Sequence, residues 1–238
     1  VCWSTSSNPT INDNKTNNGT GTGSFTSEIT GLSEWTTYYI RAFATNEHGT
    51  SYGNEVSLIA RNTVTDYDGN IYGIVTIGDQ TWMAENLKTT HYTSGAPINL
   101  VTGESDWNAL SSIYKAYCYY DNSAANGDAY GALYTWAAAM NGATSSSNNP
   151  SGIQGACPDG WHIPSDDEWK QLEKYLGMSI SDADVTGWRG TDEGYKLKST
   201  IGWYNNGNGS DSYNFTVIPA GIRRDDGLFL TLEYGTTF

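Results

Sequence analysis

Positions alternate with a period of two from Thr36 to Thr45. Tyr38, Ile40, Ala42 and Ala44 interleave with Tyr39, Arg41 and Phe43. That alternation predicts a strand with one face buried. Asn46-Glu47-His48-Gly49 supplies a turn, and Tyr52–Ile59 returns as the second arm. Val1-Cys2-Trp3 reads as the middle of another strand, and Asn12–Gly23 as a polar loop or hairpin tip. Shorter strands follow. Asp68-Gly69 is a hairpin turn between Thr63–Asp66 and Asn70–Ile77, and Gly78-Asp79 leads into Gln80–Met83. Leu133, Trp136, Ala137 and Met140 have helical spacing and predict a helix within 130–140. Ser165 and Glu168 form a capping box before Trp169, Leu172 and Leu176, and Gly177 is the stop. Beyond it, Trp188, Trp203, Phe215 and Ile218 are scattered through turn-rich sequence. The pattern predicts a mainly β chain with some α+β character. It divides into a unit over 1–62 and a larger one over 63–238, with two short helices and long loops held by buried aromatics.

Composition sharpens this picture. Aliphatic residues are scarce, but 9 Trp, 17 Tyr and 5 Phe supply a core. With 12 Lys plus Arg against 26 Asp plus Glu, the net charge is −14. Such a chain repels phosphate backbones and shows no basic patch, so no nucleic-acid partner is expected. No apolar run reaches the roughly 18 residues of a membrane helix. Low Lys with abundant Asn, Ser, Thr, Gly and Tyr fits a secreted or cell-surface protein. Sequons at Asn14, Asn18, Asn208 and Asn214 allow glycan decoration. Both ends read as cut from a longer polypeptide.

Two resemblances emerge from the motifs. Leu32-Ser33-Glu34-Trp35-Thr36-Thr37-Tyr38-Tyr39-Ile40-Arg41-Ala42, followed by Asn46 and Gly49, resembles the second half of a fibronectin type III domain. The resemblance places Tyr38 at the tyrosine corner, its hydroxyl returning to the backbone near Leu32. The first strands of such a sandwich are not in this sequence, so the sheet edge and core face they would cover are expected to be closed either by residues outside it or by another chain.

The second resemblance spans almost all of 65–238. It rests on Asp68-Gly69-Asn70, on Ile77-Gly78-Asp79-Gln80-Thr81-Trp82-Met83-Ala84-Glu85-Asn86-Leu87 and on Ala116-Tyr117-Cys118-Tyr119-Tyr120. It continues through Tyr130-Gly131-Ala132-Leu133-Tyr134-Thr135-Trp136, Cys157-Pro158-Asp159-Gly160-Trp161-His162-Ile163-Pro164-Ser165 and Pro219-Ala220-Gly221-Ile222-Arg223. In this order the blocks resemble the Fibrobacter succinogenes major paralogous domain. That resemblance implies a C-type-lectin-like fold close to formylglycine-generating-enzyme-like domains, secretion from bacteria, and fibronectin-like or immunoglobulin-like neighbours. The family pattern continues with a Trp-Ser-Ser-Thr segment and a Cys-containing strand that this sequence does not include.

The chemistry reads as structural. Formylglycine generation needs a redox-active Cys pair, and no Cys follows Cys157. Cys118 and Cys157 are disulfide candidates, either with each other or, for Cys157, with a Cys outside this sequence. Neither His48, His91 nor His162 has a partner signalled by spacing. Asp66 and Asp68, and likewise Asp182 and Asp184, place oxygens at alternate positions and are candidate calcium ligands. A hairpin turn is the simpler reading of Asp68-Gly69. Tyr117, Tyr119, Tyr120, Trp203 and Tyr204 are candidate ligand contacts, since flat aromatic faces stack on sugar rings. The chain is therefore expected to be a non-catalytic extracellular structural or adhesive protein, without a required cofactor. Its expected partners are its own copies or neighbouring surface proteins, and strand complementation would let it build a fibre. The alternative is a monomeric lectin-like module for carbohydrate or peptide. An enzyme resembling formylglycine-generating enzymes is the remaining, weaker alternative.

Overall fold

A computed structural model describes residues 1–235; the final residues 236–238 of the expected second unit lie outside the described residues. The chain divides into two compact units, Val1–Asn62 and Thr63–Phe238. Together they are mainly β-sheet with few short helices.

The first unit is one antiparallel sheet. It contains β1 (Cys2–Ser4), β2 (Asn14–Lys15), β3 (Thr36–Asn46) and β4 (Gly49–Ala60), in the order β2-β1-β3-β4. Trp3 sits opposite Ile40, Ile40 opposite Val56, and Tyr38 opposite Leu58. Directly paired residues share a face, so these five side chains form one apolar side of the sheet. Cys2, Arg41 and Glu55 pair across the other side. The 5–13 loop covers that side: Cys2 Sγ donates to the Pro9 carbonyl at 3.4 Å, and Tyr52 Oη accepts from the Ile11 amide at 3.1 Å. The apolar side is only partly covered. Tyr38 is buried, and its hydroxyl accepts from the Ser33 amide at 3.1 Å, one residue from the expected Leu32. Val56 and Leu58 remain 60% and 40% exposed. β4 forms one edge of the sheet.

The second unit is assembled from small sheets. β5 (Thr63–Thr65), β6 (Ile71–Ile77) and β7 (Gln80–Met83) form an antiparallel meander. β8 (Asn99–Leu100) lies parallel to β9 (Ala116–Cys118), which pairs antiparallel with β10 (Leu133–Tyr134). β11 (Ala220–Arg223) and β12 (Phe229–Leu232) make a hairpin. Between them lie α1 (Glu104–Asn108), α2 (Ala124–Tyr130), α3 (Trp136–Ala139), α4 (Asp166–Tyr175), α5 (Ile180–Ala183) and α6 (Glu193–Leu197). Six short α-helices among the described residues therefore replace the expected two.

The helix expected within 130–140 is corrected. α2 ends at Tyr130, because Gly131 takes φ +83° and packs where a Cβ would come within 2.7 Å of Asn86 Cβ. Leu133 enters β10. Thr135 then caps a fresh turn, its hydroxyl accepting from the Ala138 amide at 3.2 Å. Local spacing alone could not reveal this strand between two turns.

Aromatic rings carry the core. Tyr92, Ile98 and Tyr117 pack with Ala138 and Ala156, while Trp107 packs with Ala116 and Cys118. Trp82 lies 4.8 Å from Trp169 and 5.8 Å from Phe215, centroid to centroid. Arg223 ties these pieces together. Its guanidinium donates to the carbonyls of Val101 (2.8 Å), Thr102 (3.0 Å) and Gly103 (3.1 Å), and lies over the Trp107 ring at 4.4 Å.

Candidate functional site

The acidic residues act as hubs that hold loops. Gly69, at φ +84°, lets the β5–β6 hairpin turn tightly. Asp66 is buried just before it and accepts from the Tyr72 hydroxyl at 2.6 Å and from the Asn70 amide at 2.9 Å. Burial first, and then the bond to Asp66, raise the Tyr72 phenol above its usual pKa. Asp68, at the hairpin tip, reaches the 89–91 loop. It accepts from Thr89 Oγ1 (3.2 Å), Thr90 N (2.5 Å) and Thr90 Oγ1 (3.0 Å). His91 Nδ1 lies 2.6 Å from its other oxygen. Burial works against ionisation of Asp68, but the bonds from Thr90, His91 and Thr89 outweigh it and hold the carboxyl below its ordinary 3.8.

The second hub is built on the capping box. Ser165 Oγ accepts from Glu168 N at 3.3 Å, and Glu168 Oε2 accepts from Ser165 N at 2.9 Å. The same oxygen accepts from Ser151 N at 3.0 Å, while Oε1 lies 2.6 Å from His162 Nε2. Burial opposes its charge, yet the donors of Ser165, His162 and Ser151 bring the carboxyl below 4.5. One buried carboxylate thus starts α4 and fixes the loops at 151 and 162.

These contacts settle where the calcium candidates sit. The oxygens of Asp66 and Asp68 are engaged by protein donors. Asp182 accepts from Ser179 Oγ at 2.7 Å beside the start of α5, and Asp184 pairs with Lys170 at 3.0 Å. Among the described residues, no group of three or more His, Cys, Asp or Glu side chains converges as a metal cage would require.

Most of the aromatic candidates are spent on packing. Tyr117 and Tyr120 are buried, so neither offers a face to a ligand. Burial, reinforced by Tyr119, pushes the Tyr117 phenol up to about 12. Tyr119 stands edge-on to Tyr117 at 5.6 Å, over Gly127, where a Cβ would come within 2.5 Å of its ring. The half-buried Trp203 donates its indole N–H to Ser199 Oγ at 3.1 Å and carries Lys198 Nζ 4.1 Å above its ring. Tyr204 is 53% exposed and stacks on Tyr234 at 4.3 Å. Of the five, only Tyr204 is an exposed side chain.

The expected Cys118–Cys157 disulfide is also corrected. Cys2, Cys118 and Cys157 are all free and buried. Cys118 belongs to the Trp107 cluster, whereas Cys157 follows Ala156 of the Tyr92 cluster. Burial raises both thiols, that of Cys157 to about 12, so both stay protonated and unreactive at neutral pH.

Sequence reasoning missed the partnerships of His91 and His162. His162 stands three residues before the cap Ser165, and that spacing is the signal that would have found its bond to Glu168. Asp68 and His91 are 23 residues apart, and nothing local links them.

No curated protein and no solved structure matches the chain. A family model does, over residues 75–238, which is more than half of the sequence. The match takes in β7, the aromatic clusters and the Glu168 hub, and the chain belongs to the Fibrobacter succinogenes major domain family.

Proposed function

We propose that this chain is a non-catalytic structural or adhesive protein of the bacterial cell surface or exterior. In this reading its first unit is a fibronectin-type-III-like sheet whose apolar face and β4 edge receive a strand from a neighbouring copy. The second unit is a C-type-lectin-like domain presented by that assembly.

The apolar sheet face carries the proposal. Trp3, Ile40, Val56 and Leu58 line one side of a four-stranded sheet, and Val56 and Leu58 remain 60% and 40% exposed. A sheet with one apolar side is stable when that side packs on another layer. The adjoining edge is suited to pairing. β4 is 12 residues long, contains no Pro and carries a single charge, Glu55. Long, weakly charged edges pair with other strands unless something blocks them. The second unit supports the reading differently, since its buried acids serve as loop anchors.

Size-exclusion chromatography with light scattering and electron microscopy tests the proposal. Oligomers or fibres at neutral pH, lost in Val56→Lys and Leu58→Lys, are expected. A wild-type chain that stays monomeric at every concentration overturns it.

A further inference from the structure

A cleft of about 510 Å³ opens in the second unit beside β8. Val101 and Leu110 line it and pack onto the Trp107–Ala116–Cys118 core, which gives it an apolar floor. Tyr114, 43% exposed, stands in its wall. Exposed Asp106, Ser111 and Thr102 put a carboxylate and two hydroxyls around it. The Asp106 carboxylate folds over Gly103, where a Cβ would come within 2.5 Å of Oδ2.

The backbone of this cleft is fixed in advance. Val101 N donates to Tyr117 O at 3.0 Å, Leu110 N to Trp107 O at 3.1 Å, and Tyr114 N to Ser111 O at 2.9 Å. Thr135 Oγ1 donates to the Tyr114 carbonyl at 2.8 Å. Arg223 is turned to the carbonyls of 101–103 and to the Trp107 ring, and Lys115 to Asn141 and the Tyr92 ring. The lining therefore contains one acid and no base.

From this arrangement we infer that the cleft is a binding site for a neutral pyranose. A pyranose has an apolar C–H face, which fits Tyr114 and the Val101–Leu110 floor. Its hydroxyl rim donates to Asp106 and exchanges hydrogen bonds with Ser111 and Thr102. The volume falls within the usual range for small-molecule sites, roughly 300–1,000 Å³. The lone acid disfavours anionic sugars. It gives a cationic ligand little, because an exposed ion pair is screened by water. This inference is independent of the assembly proposal, which uses the other unit.

The test is an amide NMR titration of the full chain with methyl glucoside, methyl galactoside, methyl mannoside and glucuronate. At least one neutral sugar shifts resonances between 100 and 114, with Kd on the order of 1 mM. Tyr114→Ala weakens it about tenfold, Asp106→Asn about threefold, and Trp188→Ala, at a fully exposed ring outside the cleft, leaves it unchanged. Asp106→Asn keeps the shape of an exposed side chain, so its result stands even if Tyr114→Ala fails to fold. The inference is overturned if no neutral sugar binds at about 50 mM. It is equally overturned if shifts fall outside the cleft, if glucuronate binds most tightly, or if Asp106→Asn binds as wild type.

Discussion

The two units solve the same problem in opposite ways. The first has the wider sheet, four strands with two long arms, one of them at the edge, yet Val56 and Leu58 stay in water. The second has no sheet wider than three strands among its described residues, yet Tyr72, Leu172 and Cys118 are completely buried. Strand pairing alone does not close a core. Closure in the second unit comes from aromatic rings and from buried carboxylates that each gather several loop donors. The first unit has no comparable hub on its apolar side, and the proposed added layer falls there.

The largest expected effect lies at the Glu168 hub. Glu168→Ala removes the acceptor for Ser151 N and Ser165 N and the partner of His162. Stranding these buried groups costs about 3–5 kcal/mol, read as a lower urea midpoint. Leu172→Ala, in the completely buried position of α4, costs about 2–5 kcal/mol by the same measurement. Asp68→Asn costs less, about 1–2 kcal/mol, because its surroundings are only partly buried.

Acid should sharpen the contrast. The folded-state pKa values of Asp68 and Glu168 lie below the ordinary 3.8 and 4.5. Depressed carboxyls stabilise the fold fully above their unfolded pKa values and lose that contribution as pH falls through the folded ones. Urea melts between pH 6 and about pH 3 should show the second unit weakening below roughly pH 4.5. Glu168→Ala should flatten that slope. The smallest effect is expected on the open sheet: Val56→Lys and Leu58→Lys should change the stability of the monomer by no more than about 0.5 kcal/mol while abolishing association.

What was legible in the sequence is what depends on neighbours along the chain. The alternation through Thr36–Thr45, the Asp68-Gly69 turn, the Ser165–Glu168 box and the Gly177 stop are local, and each appears where the residues place it. The Tyr38 bond was implied by the fibronectin resemblance, and it spans only five residues. Contacts closed by long loops were not legible. Arg223 reaches carbonyls about 120 residues away, and Asp68 finds a loop more than 20 residues on. The buried state of Tyr117 and Tyr120 was hidden for the same reason, since an aromatic run reads alike in a core and at a ligand surface. The 510 Å³ cleft joins residues 100–102 with 106–114, and no residue pattern announced it.

In the proposed assembly the β4 edge and its apolar face receive a neighbouring copy. Hydrogen exchange of the β4 amides, followed by mass spectrometry over a rising protein concentration, tests it most directly. The account predicts that the outward-facing amides of Gly49–Ala60 become protected as concentration rises, and that Leu58→Lys removes this protection. Exchange that stays equally fast at every concentration would contradict it.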